Sequence, residues 1–404
     1  MTSARSGPES GAKPTPRLRG TRIAVVMAFV ANGVLYGSWA SRIPAIKEQA
    51  GLDSVHLGFA LLGAPLGMIL TMTFAGYAAG KIGSHRVSAL MLAACAAMLP
   101  VIASSTSFVM LAGALLVYGA AHGSMDVCMN ANGLAIERAG TSPIMSRLHG
   151  TWSIGSFIGA FSTAVALAAG LSVFQQFVLL AIVMVIAAAL LSQTMLADKP
   201  VAEGPVFRRP PRRLAIIGFI AMCGLVAEGS VGDWSGVFIK ETIGGTAQQA
   251  AIAISVFSAS MATARLAGDR LTELLGPARL VALGALVSAV GMVSALAIAQ
   301  PLAAIIGFAF LGVGIAVTNP LALRAGGSQP GIASGVGIAA VATMGAVGTT
   351  SAPPIIGTVA GVVGLRAALF MIVALLLILA ATAGRALGSS RVMIPEPAVA
   401  TELP

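Results

Sequence analysis

Long apolar runs limit this chain more than any other feature. Ala181–Leu191 and Phe370–Thr382 contain no charged residue, and each lies in a block of about 20 residues, the length a helix needs to cross a bilayer. Hydrocarbon offers the backbone no hydrogen-bond partner, so a spanning segment must be a helix or part of a closed barrel. Barrel strands alternate apolar and polar residues over about 10 positions, whereas these runs are solidly apolar. The spans are therefore helices. Twelve of them would use about 240 positions, and 57% of the 404 residues are apolar. Only 9% are charged, against about 25% in a soluble domain. That balance excludes a cytosolic enzyme, a secreted disulfide scaffold and a disordered regulator. The 48 glycines suit helices that pack closely through small residues.

Hydropathy places spans near 21–45, 55–80, 86–104, 107–134, 147–171, 173–196, 214–239, 247–270, 278–299, 301–323, 332–362 and 365–387. The expected organisation is a disordered tail (1–20), a six-helix bundle (21–196), a linker (197–213), a second six-helix bundle (214–388) and a second tail (389–404). Breaks are expected at Gly51–Asp53, Gly83–Ser84, Gly140–Pro143, Gly244–Gly245, Gly276–Pro277 and Gln329–Gly331. Ile23–Ala40 is taken as a retained span, not a cleaved leader, because it matches a later span. If the N-terminus is cytoplasmic, only Arg42, Lys47, Lys240 and Arg366 of the 24 Lys and Arg lie at the outer ends. The positive-inside rule then predicts both termini in the cytoplasm, with the chain in the cell (inner) membrane. The same bias accounts for the net charge of +10 without a nucleic-acid partner. Cys95, Cys128 and Cys223 fall in separate spans and read as small packing residues. Arg42, Arg265 and Arg324 lie near span ends and read as snorkelling side chains.

The chain repeats itself. Gly83-Ser-His-Arg86-Val-Ser-Ala-Leu90 recurs as Gly276-Pro-Ala-Arg279-Leu-Val-Ala-Leu283, an offset of 193. At that offset Gly119 maps to Gly312, Asp126 to Asn319 and Gly155 to Gly348. Trp39 maps to Trp234 at 195, and Asn32-Gly33 to Glu228-Gly229 at 196. Two six-helix halves in parallel repeat are the plan of major facilitator transporters.

Gly76-Tyr-Ala-Ala-Gly-Lys81-Ile-Gly83-Ser-His-Arg86 resembles the loop signature after the second span of that superfamily. Gly-Ser-Met-Asp126-Val-Cys-Met-Asn130 and Pro143-Ile-Met-Ser-Arg-Leu-His149-Gly-Thr-Trp152-Ser-Ile-Gly155 resemble its YbjJ/MosC-type bacterial branch. The resemblance covers nearly the whole chain between the tails. It implies the major facilitator fold, an all-α membrane protein with two pseudo-symmetric bundles. It also implies a gating role for Gly76, Lys81, Gly83 and Arg86, and for Asp269, Arg270, Gly276 and Arg279 in the other half. The signature normally has Asp where Gly80 stands; the matching position in the second half is Glu273. Drug–proton exporters of the superfamily usually carry Gly-Pro in the fifth span, where this chain has Gly155-Ser156.

Ionisable groups at membrane depth are costly and mark functional positions. Glu228 is the first candidate for proton coupling, with Asp126 and Asp233. Glu228 and Asp233 would not share a face on a regular helix, and Gly229, Gly232 and Gly236 could permit a break there. The basic residues nearest Glu228 in sequence lie at the span ends. Candidate solute contacts are the Asn32, Tyr36 and Trp39 stripe of the first span and the His122, Asp126 and Asn130 stripe of the fourth. His149 and Trp152 of the fifth, Trp234 of the seventh and Asn319 of the tenth complete the set. Trp39 and Tyr36 also fit an interfacial belt, and Asn319 also fits a structural role, capping the carbonyl freed by Pro320. No GxxxxGK[ST] or HExxH motif and no soluble catalytic domain occurs, so neither ATP, a metal, a cofactor nor an enzymatic reaction is expected. The sequence points to a monomeric secondary transporter of a small polar organic solute, driven by protons and more in keeping with uptake than with export. A non-transporting sensor with a transporter fold is the reading from another class.

Overall fold

The computed structural model describes residues 16–139, 144–195, 212–332 and 334–387. Among them, 12 helical spans are long and apolar enough to cross a membrane. They are built from α1 (Pro16–Gln49), α2 (Ser54–Leu61), α3 (Gly63–Ile82), α4 (Ser84–Ala103), α5 (Phe108–Ala139), α6 (Met145–Ala168) and α7 (Val173–Thr194). The second half holds α8 (Arg212–Val237), α9 (Ala247–Leu275), α10 (Pro277–Ile298), α11 (Pro301–Ile315), α12 (Thr318–Gly327), α13 (Ser334–Val363) and α14 (Leu365–Leu387). The Gly140–Pro143 break and most of both tails and of the linker lie outside the described residues. The first helix starts at Pro16, so residues 16–20 are helical, not part of an unstructured tail. Likewise Arg212 and Arg213 open α8 and do not belong to the linker.

Two spans are interrupted, both through proline chemistry. Pro65 has no N–H to give the Leu61 carbonyl, and the second span divides into α2 and α3 at Leu62. Pro320 likewise leaves the Ala316 carbonyl without its helical donor, and the tenth span divides into α11 and α12. The seventh span departs from expectation. No break occurs at Gly229, Gly232 or Gly236; α8 runs regularly to Val237 and then widens into a π-helical turn at Phe238–Thr242.

Within the first half α1 packs along α6, α3 along α5, and α4 against α5 and α7. The second half pairs α8 with α13, α9 with α11, and α10 with α11 and α14. The internal repeat is visible in atomic detail. A Cβ built on Gly119 would lie 1.9 Å from the Ala64 carbonyl oxygen, and one on Gly312 would lie 2.6 Å from that of Phe257. Both partners are again offset by 193. The turns that follow α3 and α9 each use a glycine at positive φ, Gly83 at 95° and Gly276 at 74°, a conformation that costs side-chain-bearing residues. The halves meet along α6 and α9, along α2 and α13, and between α1 and α8.

Candidate functional site

The centre of the molecule is organised by the α1–α6 contact. Gly33 and Gly37 face Gly155 and Gly159, and a Cβ on any of the four would come within 2.1–2.2 Å of a carbonyl oxygen of the other helix. Such close approach is the usual service of small residues in membrane helices. It sets Asn32 and Tyr36 beside Trp152. The Trp152 indole Nε1 donates to Asn32 Oδ1 at 2.7 Å, and Asn32 Nδ2 donates to Met125 Sδ of α5 at 3.4 Å. The Tyr36 and Trp152 rings lie 5.2 Å apart. The phenol oxygen of Tyr36 packs on α8 at Gly232, within electrostatic reach of both Asp233 and Glu228.

Arg265 of α9 occupies the middle of this group. Its Nη2 donates to Glu228 Oε1 and Oε2 at 3.3 and 3.2 Å, and its Nη1 donates to Ser153 Oγ of α6 at 2.6 Å. Its Nε donates to the Ala316 carbonyl at 3.3 Å. This is the carbonyl that Pro320 leaves free, so Arg265 fills the capping role foreseen for Asn319. The Oδ1 of Asn319 is buried with no partner among the described residues. Two expectations are thereby corrected. Arg265 does not snorkel to a membrane surface, and Glu228 does have a basic partner, 37 residues further along the chain on α9. Sequence distance concealed the pair because α8 and α9 run back to back. Arg42 does not snorkel either: it is buried, its Nε donates to Gln176 Oε1 at 2.6 Å and its Nη2 to the Leu171 carbonyl at 3.1 Å. Arg324 is exposed, as foreseen. One further bridge, Ser156 Oγ to Ser258 Oγ at 2.9 Å, joins the halves beside Arg265.

On α5 the exposed apolar side carries Leu116, Val117 and Leu134, and the other side carries Tyr118, His122, Met125 and Asp126. Asn130 Nδ2 donates to the Asp126 backbone carbonyl at 2.8 Å and to Oδ1 at 3.1 Å. The His122 ring stacks 5.7 Å from Tyr118, and its Nε2 has no partner among the described residues. Asp126, Glu228 and Asp233 are all half-buried within the spans of α5 and α8, and only Glu228 has a basic partner among the described residues. His149 is exposed, with its ring edge on buried Phe29, 5.5 Å away. Trp39 and Trp234 stand apart from this group: both are buried in the apolar core, and Trp234 packs near Gly357 of α13.

The two ends of the molecule differ. At the end where α1 and α8 finish, Lys47 pairs with Glu241 at 2.6 Å and Lys240 pairs with Glu48. The two Lys-Glu dipeptides are offset by 193 and exchange partners across the pseudo-symmetry. Sequence reasoning passed over them, although the repeated dipeptide was there to find. Beneath them Gly58 lies against the Pro353 carbonyl and Gly357 against that of Ser54, joining α2 to α13. At the opposite end, where α7 leaves and α8 begins, the gating candidates make no ion pair among the described residues. Arg86, Asp269, Arg270 and Arg279 are exposed there, and Lys81 lies 4.7 Å from the centre of the Tyr77 ring.

A family model described as Major Facilitator Superfamily matches residues 22–323. Among curated proteins the chain is 33% identical over 367 residues to an uncharacterized MFS-type transporter of Yersinia pestis, covering 90% of this chain and 95% of that one. It is 29% identical over 377 residues to the membrane protein MosC of Rhizobium meliloti, with 92% of each covered. Among solved structures the fold matches a bacterial homolog of the human lysosomal transporter Spinster in an inward-facing, unoccupied conformation. The TM-score is 0.72 at 14% identity, over 94% of this chain and 99% of that one. It also matches a mutant of the nucleoside transporter NupG, with a TM-score of 0.71 at 15% identity over 91% and 99%. With its repeated halves, its polar centre and a family match over most of its length, this chain belongs to the Major Facilitator Superfamily.

Proposed function

We propose that the chain imports a small polar organic solute together with protons, by alternating access about the group that joins Asn32, Tyr36, Trp152, Glu228 and Arg265. One observation carries this reading. Carboxylates from both halves stand half-buried within the spans, where such groups are retained for a function, while among the described residues one end of the interface is tied by ion pairs and the other is not. Glu228 is the coupling carboxylate, with Asp126 and Asp233 as further proton sites. Asn32, Tyr36, Trp152, His122, Asn130 and Asn319 offer the solute hydrogen bonds and aromatic faces. His149 stands at the untied end, where the solute would leave. Trp39 and Trp234 support this group by packing and do not touch the solute. The Lys and Arg distribution supports both termini in the cytoplasm of a cell with the chain in its inner membrane, the untied end facing inward. Both halves lie in one chain, so a monomer suffices.

The test is uptake by proteoliposomes held with and without an inward proton gradient in a mixed metabolite extract, followed by mass spectrometry of the lumen. Wild-type protein is expected to concentrate at least one polar solute only under the gradient, and Glu228→Gln to lose that concentration. Gradient-driven accumulation that survives in Glu228→Gln removes the coupling role.

A further inference from the structure

The Arg265 guanidinium is underused, and its geometry identifies what it awaits. Arginine carries five N–H donors in a planar fork that matches a carboxylate with two parallel bonds. Here Nε is spent on the Ala316 carbonyl and one Nη1 hydrogen on Ser153. Both oxygens of Glu228 lean on the single nitrogen Nη2, at 3.2 and 3.3 Å, where charge-assisted bonds normally run at about 2.7–2.9 Å. The second Nη1 hydrogen has no partner among the described residues. The pair is enclosed but not sealed, with side chains 13% and 17% exposed. Arg265 reaches into both halves, since Ser153 belongs to α6 and Glu228 to α8.

We propose that Arg265 is the anchor for an acidic group of the solute, which displaces Glu228 from the guanidinium when Glu228 takes up a proton. The proposal rests on the transporter reading above and names the class of its solute: a small organic acid that also bears hydroxyl or amino donors. The exchange balances. One carboxylate anion replaces another at Arg265, and the proton that enters neutralises Glu228, so the charge at the centre changes only by an anion and a proton that cancel. That economy matters because an uncompensated charge at this depth is costly. The groups facing the pair account for the donors the solute needs. Tyr36 of α1 lies within electrostatic reach of Glu228 and of Asp233 of α8, and His149 of α6 lies within reach of Arg265. The surplus of acids, Asp126 and Asp233, accepts hydrogen bonds from hydroxyl or ammonium groups and disfavours a solute with more than one acidic group.

The experiment is thermal stabilisation of the purified full chain by gluconate, glycerate, alanine and glutamate, with glucose and glucosamine as neutral and cationic counterparts. Four proteins are compared: wild type, Arg265→Gln, Glu228→Gln and the double variant that removes both charges together. At least one acid is expected to stabilise wild type more than glucose or glucosamine does. Glu228→Gln is expected to bind the same acid at least as tightly, because the anionic competitor for Arg265 is gone. Arg265→Gln and the double variant are expected to bind it about tenfold more weakly or worse. The double variant leaves no lone buried charge, which keeps the test valid should Arg265→Gln fold poorly. Stabilisation by glucose or glucosamine equal to that by the acids overturns the proposal, as does no stabilisation by any acid or binding that survives loss of Arg265. Acid binding without proton-driven uptake leaves this inference standing and counts against the coupling role alone.

Discussion

The two ends of the helix bundle are built from the same repeated sequence and yet are held differently. Where α1 and α8 finish, the halves are joined by two exchanged Lys–Glu pairs above glycine contacts between α2 and α13. Where α3 turns into α4 and α9 into α10, the repeated octamers carry Arg86 and Arg279 in exposed positions without ion pairs among the described residues. A duplicated chain thus need not be used symmetrically along its axis. The halves also meet along α6 and α9, so the pairing chemistry at the tied end is what distinguishes the two ends. Isolated surface ion pairs contribute little, about 0–1 kcal/mol each. The close backbone contacts therefore carry the shape of the seal, and the charges bias its closure.

This contrast can be broken from the sealed end. The largest effect is expected from Gly58→Leu, since even a Cβ there would lie 2.5 Å from the Pro353 carbonyl oxygen. The wedge is expected to hold this end open and abolish transport. A single cysteine introduced at Glu241 is expected to react faster with a membrane-impermeant maleimide in that background than in wild type, and equal reactivity would refute the seal. Next comes Lys47→Glu, which sets two acids against each other. A transport loss of about threefold to tenfold corresponds to about 0.7–1.4 kcal/mol, and the swap Lys47→Glu with Glu241→Lys is expected to restore most of it. A swap no better than the single variant would show that these charges do not act as a pair.

Salt sharpens the comparison within the sealed end. Lys47 is 9% exposed and Glu48 71% exposed, and screening acts mainly on exposed charges, with a Debye length of about 3 Å at 1 M. Raising salt is expected to erase the effect of Lys240→Ala on transport before that of Lys47→Ala. A smaller effect is expected from Asp53, which caps α2 by accepting from the His56 backbone N–H at 2.8 Å and lies 2.8 Å from the His56 ring. These bonds hold its carboxyl below the usual carboxylate range. The group favours the folded state above the ordinary carboxylate pKa, and that contribution fades as pH falls through its own lower value. Asp53→Ala is expected to cost about 1 kcal/mol at neutral pH and nothing at strongly acidic pH, by thermal melting. The smallest effect belongs to the other end. Arg86→Ala and Arg279→Ala are expected to leave maleimide labelling at position 241 unchanged, because neither side chain holds this state together.

Much of this architecture was legible in the chain. Apolar length gave the spans, and the octamer around Arg86 and Arg279 gave the duplication, because both depend on local pattern. The candidate site was legible in part. Asn32, Tyr36, Trp152 and Glu228 were picked out as polar residues at membrane depth, and the structure brings them together. Trp39 and Trp234 carried the same signal and lie buried in the apolar core, apart from that group. Arg265 was misread as a snorkelling residue because its span was drawn five residues short, ending at 270 where α9 runs to Leu275. That shift placed it too near the surface.

The sequence by itself determined that the chain crosses a membrane twelve times as two copies of one unit, because the cost of unbonded backbone in hydrocarbon leaves a run of apolar residues one outcome. Only the tertiary structure decided which charges meet. Glu228 with Arg265, Lys47 with Glu241 and Lys240 with Glu48 are pairings between separate helices, set by how those helices pack, and a helix carries no mark of which neighbour will lie across from it.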